Sequence, residues 1–312
     1  MMTPDISFTK LRTFYYAARY CSARKAAQAL YVTEGAVSQQ ITDLERRLSR
    51  KLFMRLGRKT TLTSDGTSLF KLVAPLVERC ENIISEFDLI SGTLKGKIKI
   101  ASWTGIVLSL LPEYVMQFKA NYPECDILLY NVSNKDIISM VLSGDVDIGI
   151  GSINKLPPEI VGWELWRIKR CCIAPPGHSI SKVEHLTLEE LAKHSFILAD
   201  RGGSGGIAQE ALLRSLNPDL KVVMEAISWE VVIKYVKIGL GISIVPEIAL
   251  HPEDKKSLFF KSMSESEERL GFSRYGILLR KNRYLVPGAQ EFIKLLSPDL
   301  LHSLGDFIFS PI

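Results

Sequence analysis

The sequence is poor in the residues that catalysis, secretion and membrane spanning rely on. Its five histidines, His178, His185, His194, His251 and His302, show neither His-x-x-x-His nor His-Glu-x-x-His spacing, so no helical zinc site of that kind is encoded. Neither phosphate-binding glycine pattern, Gly-x-x-x-x-Gly-Lys-Ser/Thr or Gly-x-Gly-x-x-Gly, occurs; Gly239-x-Gly241 stands alone before a strand-like run. The five cysteines contain no Cys-x-x-Cys. Adjacent Cys171 and Cys172 on an extended segment point to opposite faces and do not readily chelate one metal. All five are expected to be buried structural thiols in a reducing cytoplasm. The longest apolar runs, Ile106 to Leu111 and Gly239 to Leu250, are too short or too interrupted to cross a bilayer. The first residues lack a basic stretch leading into an apolar run, so no signal peptide is expected. These absences lead to the expectation of a cytoplasmic protein that is not an enzyme, carries no metal and has no membrane partner.

Positive charge is unevenly placed. Residues 1–66 carry 12 Lys and Arg against 5 Asp and Glu, while the rest carries 27 against 29. The whole surplus lies in the first fifth of the chain, as in a polyanion-binding head on a neutral body. In that head Leu11, Phe14, Tyr15 and Ala18 mark one amphipathic helix, and Ala26, Ala27 and Leu30 mark a second, capped by Ser22. Thr33 caps a third, whose apolar stripe is Val37, Ile41, Leu44 and Leu48. Its other face starts with small and amide residues, which let a helix lie close to DNA and hydrogen-bond base edges. The candidate DNA-binding residues in and around this helix are Ser22, Arg24, Thr33, Gly35, Ala36, Ser38, Gln39, Gln40, Thr42 and Arg46. Two short strand-like runs then flank Gly57-Arg58-Lys59, forming a wing from which Arg55, Arg58 and Lys59 reach phosphates or the minor groove.

After the head, Leu69, Val73, Leu76, Cys80, Ile83, Phe87 and Ile90 follow strict 4-3 spacing, flanked by Glu78, Arg79, Glu81 and Glu86. That heptad stripe favours helix-helix pairing, with Pro75 expected to kink it. From Lys97 onward strands alternate with helices twice over, the pattern of a parallel sheet in two α/β lobes with a ligand cleft at their switch point.

The head resembles the LysR-type transcriptional regulators through Leu11 to Phe14, Ala26-Ala27, Leu30, Val32-Thr33, Ala36-Val37-Ser38, Ile41, Leu44-Glu45, Leu48, Leu52 to Arg55, and Leu62-Thr63 before Gly66. The body resembles that family's effector domain, itself similar to periplasmic binding proteins. The matches are Leu111-Pro112, Phe118, Tyr122-Pro123, Gly144 to Ile148, and Gly239 to Ile242 with Pro246. Val232 to Val236 looks most like the cysteine-regulon, or CysB-like, branch. The resemblance implies an α/β chain in three parts: a winged helix-turn-helix (1–65), a linker helix (66–92) and a two-lobed effector domain. Lobe I of that domain is 93–167 with 272–312, and lobe II is 168–271. It also implies a dimer through the linker, assembly to a tetramer, promoter DNA as partner and RNA polymerase as a further one.

Effector residues transfer by position to Ser102, Trp103, Thr104, Ser152, Arg201, Gly202, Gly203, Ser204, Ser228 and Trp229. A Gly-rich loop feeding a helix start, with Arg201 beside it, suits an anion. The chain departs from the family at Glu34, which a phosphate repels, and at Gly35. It departs again at Trp103, Gly105 and Ile106, where the cysteine-regulon branch is hydroxyl-rich. Trp103 and Trp229 therefore keep two readings, stacking on a planar ligand or filling core. The expected function is a DNA-binding regulator controlled by a small effector. The alternative is a small-molecule-binding protein or an enzyme with a non-functional head.

Overall fold

The computed structural model describes residues 6–56, 59–199, 204–263, 272–281 and 283–300. They form two units. One holds the chain up to Lys95 together with the segment Lys281–Gln290; the other holds Gly96–Arg280 and the residues from Glu291 onward.

The first unit begins with α1 (Phe8–Tyr20), α2 (Ala23–Leu30) and α3 (Glu34–Leu48). Ser22 and Thr33 cap α2 and α3 by accepting from the backbone N–H groups of Lys25 and Ala36. Phe14, Tyr15, Leu44, Leu52, Val73 and Val77 make one core, and Ala17, Ala26, Ala27 and Val37 a second. The alanines let α1, α2 and α3 approach closely. The strands β1 (Phe53–Leu56) and β2 (Lys59–Leu62) pair antiparallel.

Glu45 fastens this hairpin to α3. It is buried, and its carboxylate accepts from Leu52 N at 2.8 Å, Phe53 N at 3.3 Å and Lys51 Nζ at 2.7 Å. Burial alone raises its pKa, but the Lys51 and backbone bonds outweigh burial and hold it below its ordinary 4.5.

Then follow α4 (Ser64–Glu81) and α5 (Ile83–Ile90). α4 runs through Pro75, and the linker breaks at Asn82. The Asn82 side chain donates to Glu78 O at 2.7 Å, competing for the carbonyl at the helix end. The acidic residues that flank the expected interhelical seam are used inside the chain. Tyr15 Oη donates to Glu78 at 2.8 Å, Arg12 Nε to Glu81 at 2.7 Å, and Tyr284 Oη to Glu86 at 2.5 Å. The heptad stripe itself divides. Val73 is buried in the head, whereas Leu76, Ile83, Phe87 and Ile90 are exposed, Phe87 by 67% and Ile90 by 85%.

The second unit contains β3 (Gly96–Ser102), α6 (Thr104–Ser109), α7 (Leu111–Asn121), β4 (Cys125–Asn131), α8 (Asn134–Ser143), β5 (Ile148–Ser152) and the long β6 (Ile160–Ala174). It continues with α9 (Leu188–Leu191), β7 (Phe196–Ala199), α10 (Ser204–Leu216), β8 (Val222–Ala226), α11 (Trp229–Lys237) and β9 (Ser243–Pro246). Next are α12 (Pro252–Ser257), β10 (Phe259–Ser262) and β11 (Phe272–Arg280); α13 (Pro287–Leu296) follows. The sheet is mixed, not parallel as expected. β3 pairs in parallel with β4 and β5, but β11 runs antiparallel between β5 and β6. β11 returns from the second lobe and so enters the first sheet from the opposite end. β6 spans both lobes: residues 160–169 pair with β11, and residues 170–174 pair with β9 and β10.

Two of the five cysteines, Cys21 and Cys80, are exposed, contrary to the expectation of burial. Cys171 and Cys172 are fully buried because β6 is covered on both faces there, and burial pushes both thiols up to about 12. Both are therefore poor nucleophiles. Among the described residues no helix is long and apolar enough to cross a membrane, and no group of three potential ligands could hold a metal ion.

Two expectations follow. Glu45→Ala leaves two backbone N–H groups without acceptors and costs the head about 2–3 kcal/mol, measured by denaturant unfolding. Because the folded pKa of Glu45 is lowered, its contribution is present above about pH 4.5 and lost as pH falls through the lowered value, a dependence absent from Glu45→Gln. Phe87→Asp, if a second copy covers the exposed stripe, weakens self-association about a hundredfold in sedimentation, the equivalent of about 3 kcal/mol for an unpaired interface charge.

Candidate functional sites

The first half of α3 presents an open polar surface. Thr33, Gly35, Ser38, Gln39 and Thr42 are exposed and Ala36 is half-buried. Several of the expected DNA-binding residues are turned to other uses, Ser22 and Thr33 as helix caps. Gln40 accepts a hydrogen bond from Thr13 Oγ1 at 2.5 Å and so ties α3 to α1. Thr42 Oγ1 donates back to Ser38 O at 2.9 Å along its own helix. Arg46 is 79% exposed and pairs with Asp43, which also receives Lys10 and Arg47. Their hydrogen bonds, that of Lys10 foremost, hold the Asp43 carboxyl well below the usual carboxylate range. Arg24 is exposed on α2, Ser22 is spent on its cap, and Arg55 projects from the exposed part of β1. Arg58 and the side chain of Lys59 lie outside the described residues.

The second site is a cleft of about 600 Å³ within the second unit. One wall comes from the carboxyl ends of the parallel strands β3, β4 and β5, through Trp103, Thr104, Asn131, Asn134, Ser152 and Lys155. The other comes from the start of α10, the β8–α11 junction and Arg170 of β6, through Gly206, Ile227, Ser228, Trp229 and Glu230. Phe272, Arg274 and Tyr275 of β11 also line it. Strand ends that feed helix starts collect unpaired backbone N–H groups and leave a crevice, which is why ligands bind there in α/β folds.

Thr104, Ser152, Ser228, Trp103 and Trp229 line the cleft. Ser102 does not: it is fully buried and its Oγ donates to Ile150 O at 2.8 Å, because side chains alternate along β3 and this one faces the sheet interior. Arg201, Gly202, Gly203 and the side chain of Ser204 lie outside the described residues. Gly202 to Gly206 also meets the Gly-x-Ser-x-Gly spacing of a hydrolase elbow in the sequence. No described histidine lines the cleft.

Trp103 is 8% exposed and lies flat over Gly105, whose position leaves no room for a side chain: a Cβ there would come within 2.1 Å of the indole. Its ring centroid is 5.5 Å from that of Tyr275, and its Nε1 is buried with no hydrogen-bond partner among the described residues. Tyr275 sits at a register shift between β11 and β6, followed by Gly276, which packs against the Trp163 backbone too closely for any Cβ.

Sequence reasoning overlooked Asn131, Asn134, Lys155, Arg170, Arg274 and Tyr275. The asparagines had a signal, since Ser133 caps a helix directly after a strand, the same junction that singled out Thr104. Lys155 had none; its φ of 53° places a non-glycine residue in the left-handed region at the cleft mouth. Arg170 had none either. It is 6% exposed inside an apolar strand, where Nη2 donates to Gln209 Oε1 and to Ile244 O.

Residues 8–67 match the bacterial regulatory helix-turn-helix proteins of the lysR family, and residues 91–300 match the LysR substrate binding domain. The chain is 28% identical to the HTH-type transcriptional regulator SsuR of Burkholderia cenocepacia, covering 95% of this chain and 96% of that one. It is 27% identical to the regulator CysB of the same organism, over 90% and 89% of the two chains. A full-length OxyR variant from Pseudomonas aeruginosa superposes with a TM-score of 0.68 at 19% identity, covering 95% of this chain and 94% of that one. With both halves of the architecture matched and the curated relatives aligned nearly end to end, the chain belongs to the LysR family of transcriptional regulators, on its CysB-like branch.

Proposed function

We propose that the exposed start of α3 reads promoter DNA and that an anionic small molecule in the cleft of the second unit controls that binding. As a LysR-family regulator the protein binds promoter DNA and forms oligomers. The proposal assigns residues to those roles. Ser38 and Gln39 are the base-reading residues, because they are exposed where a recognition helix meets the groove. Arg24, Arg46, Arg55, Arg58 and Lys59 supply phosphate contacts. Thr33, Gly35 and Ala36 allow close approach. Ser22, Gln40 and Thr42 hold the helices in place. In the cleft, Lys155 and Arg170 supply positive charge for the effector.

The observation that carries this reading is the location of the cleft at the carboxyl ends of β3, β4, β5, β7 and β8, with a buried guanidinium in its wall. No cofactor, metal or chemical step is assigned. Cys171 and Cys172 are buried and poorly ionised, and the curated relatives named above are regulators. Action on promoter DNA in the cytoplasm is part of the same proposal. Assembly to a tetramer and contact with RNA polymerase belong to the same proposal.

Footprinting of the promoter region flanking the gene, at two salt concentrations and with the full chain, tests the reading. A protected dyad-symmetric site that weakens with salt supports it; no protection at low salt on flanking or distant promoter DNA overturns it. Arg55→Ala lowers the slope of log affinity against log salt by about one if it holds one phosphate. Glu34→Gln removes a charge that phosphates repel and tightens binding severalfold, by about 1 kcal/mol at most. Gln39→Ala weakens and relaxes DNA recognition without changing the melting temperature, whereas Gln40→Ala lowers the melting temperature because Thr13 loses its acceptor.

A further inference from the structure

We propose that the cleft takes an aromatic acid, a planar ring carrying a carboxylate or sulfonate, in preference to an inorganic oxyanion, and that Trp103 sets this preference. The inference rests on the cleft being the effector site.

A site for a bare oxyanion needs only hydroxyls and N–H groups around a small cavity. Here the cavity is about 600 Å³, a size that suits an organic molecule. Four aromatic side chains line it: Trp103, Trp229, Phe272 and Tyr275. Trp103 is held rigidly, with its six-membered ring against Gly105 and Tyr275 on a neighbouring side. A rigid aromatic wall favours a second ring, by offset stacking or edge-to-face contact, over a saturated body of the same size.

The polar groups indicate where the charge goes. Arg170 is a buried cation whose orientation Gln209 fixes, and Lys155 stands at the mouth. Arg274 is paired with Glu164 at 2.5 Å, and the acidic lining residue Glu230 accepts from Ser228. By formal charge the lining holds three cations, Lys155, Arg170 and Arg274, against the single carboxylate of Glu230. Aromatic faces and a lining with more cations than carboxylates together describe a ring bearing an oxyanion.

The test is calorimetry on the full-length protein with four probes: benzoate, benzenesulfonate, cyclohexanecarboxylate and inorganic sulfate. Wild type is compared with Trp103→Phe and Trp103→Leu, and the indole N–H resonances are followed by NMR. The aromatic acids are expected to bind at least about tenfold more tightly than sulfate or the saturated acid, the size of one good aromatic contact. Trp103→Leu should remove that advantage, Trp103→Phe only part of it, and the indole signal missing from Trp103→Phe should shift on addition of benzoate. If Trp103→Leu does not fold, Trp103→Phe and the NMR signal still decide. Sulfate binding as tightly as benzoate overturns the proposal, as does binding of none of the probes, or aromatic binding that ignores Trp103. If sulfate binds and alters the footprint, effector control stands and the aromatic preference falls. If benzoate binds through Trp103 but the footprint is unchanged, the ligand class stands and effector control falls.

Discussion

One strand serving two sheets is the constraint on which the second unit depends. β6 pairs with β11 along residues 160–169, then with β9 and β10 along residues 170–174. Each backbone N–H and C=O along it needs a partner, and no single neighbour reaches the full length. The change of partner falls next to Arg170, the point at which the chain passes from one lobe to the other. β11 makes the return crossing, and its register shift at Tyr275 re-aims a side chain at the cleft. The cleft is thus a consequence of two crossings, with its walls supplied by whichever loops follow the strand ends on either side.

The same bookkeeping of hydrogen bonds decides which polar residues of the first unit remain for a partner. Glu45 is committed to the backbone of the hairpin, and Gln40 to Thr13. Glu78, Glu81 and Glu86 are committed to tyrosines and Arg12. What stays at the surface is the Ser38 and Gln39 face and a set of arginines. A recognition helix must hold its interior contacts rigidly while leaving this outer face unspent, and these internal bonds do that holding.

Much of this was readable in advance, for identifiable reasons. The three helices of the head were legible because their apolar stripes follow the helical period and two of them start at hydroxyl caps. The strands β4, β7, β8 and β9 were legible as short apolar runs between helical stretches. The first half of β6 was passed over although Trp163-Glu164-Leu165 and Arg167-Ile168-Lys169 carry the apolar–polar alternation of a half-buried strand. α6 was not legible, since Trp103 and Gly105 disguise a helix start as a turn. Of the cleft, the residues at strand-to-helix junctions were found by their position, while Arg170 was hidden inside an apolar strand. Ser102 was assigned to the cleft although the alternation of β3 turns it inward.

By itself the sequence determined the periodic elements, the basic head and the family, since these depend on local spacing, capping chemistry and charge along the chain. The stripe of Val37, Ile41 and Leu44 already turns Gln40 inward and Gln39 outward, and only the tertiary structure supplied the partner, Thr13, that ties Gln40 down. The tertiary structure alone decided that the linker breaks at Asn82 and not at Pro75. And it alone brought Arg170, Trp103 and Tyr275, distant along the chain, to one cleft: their proximity follows from strand crossings and register, which depend on pairing partners far away in sequence and leave no local trace.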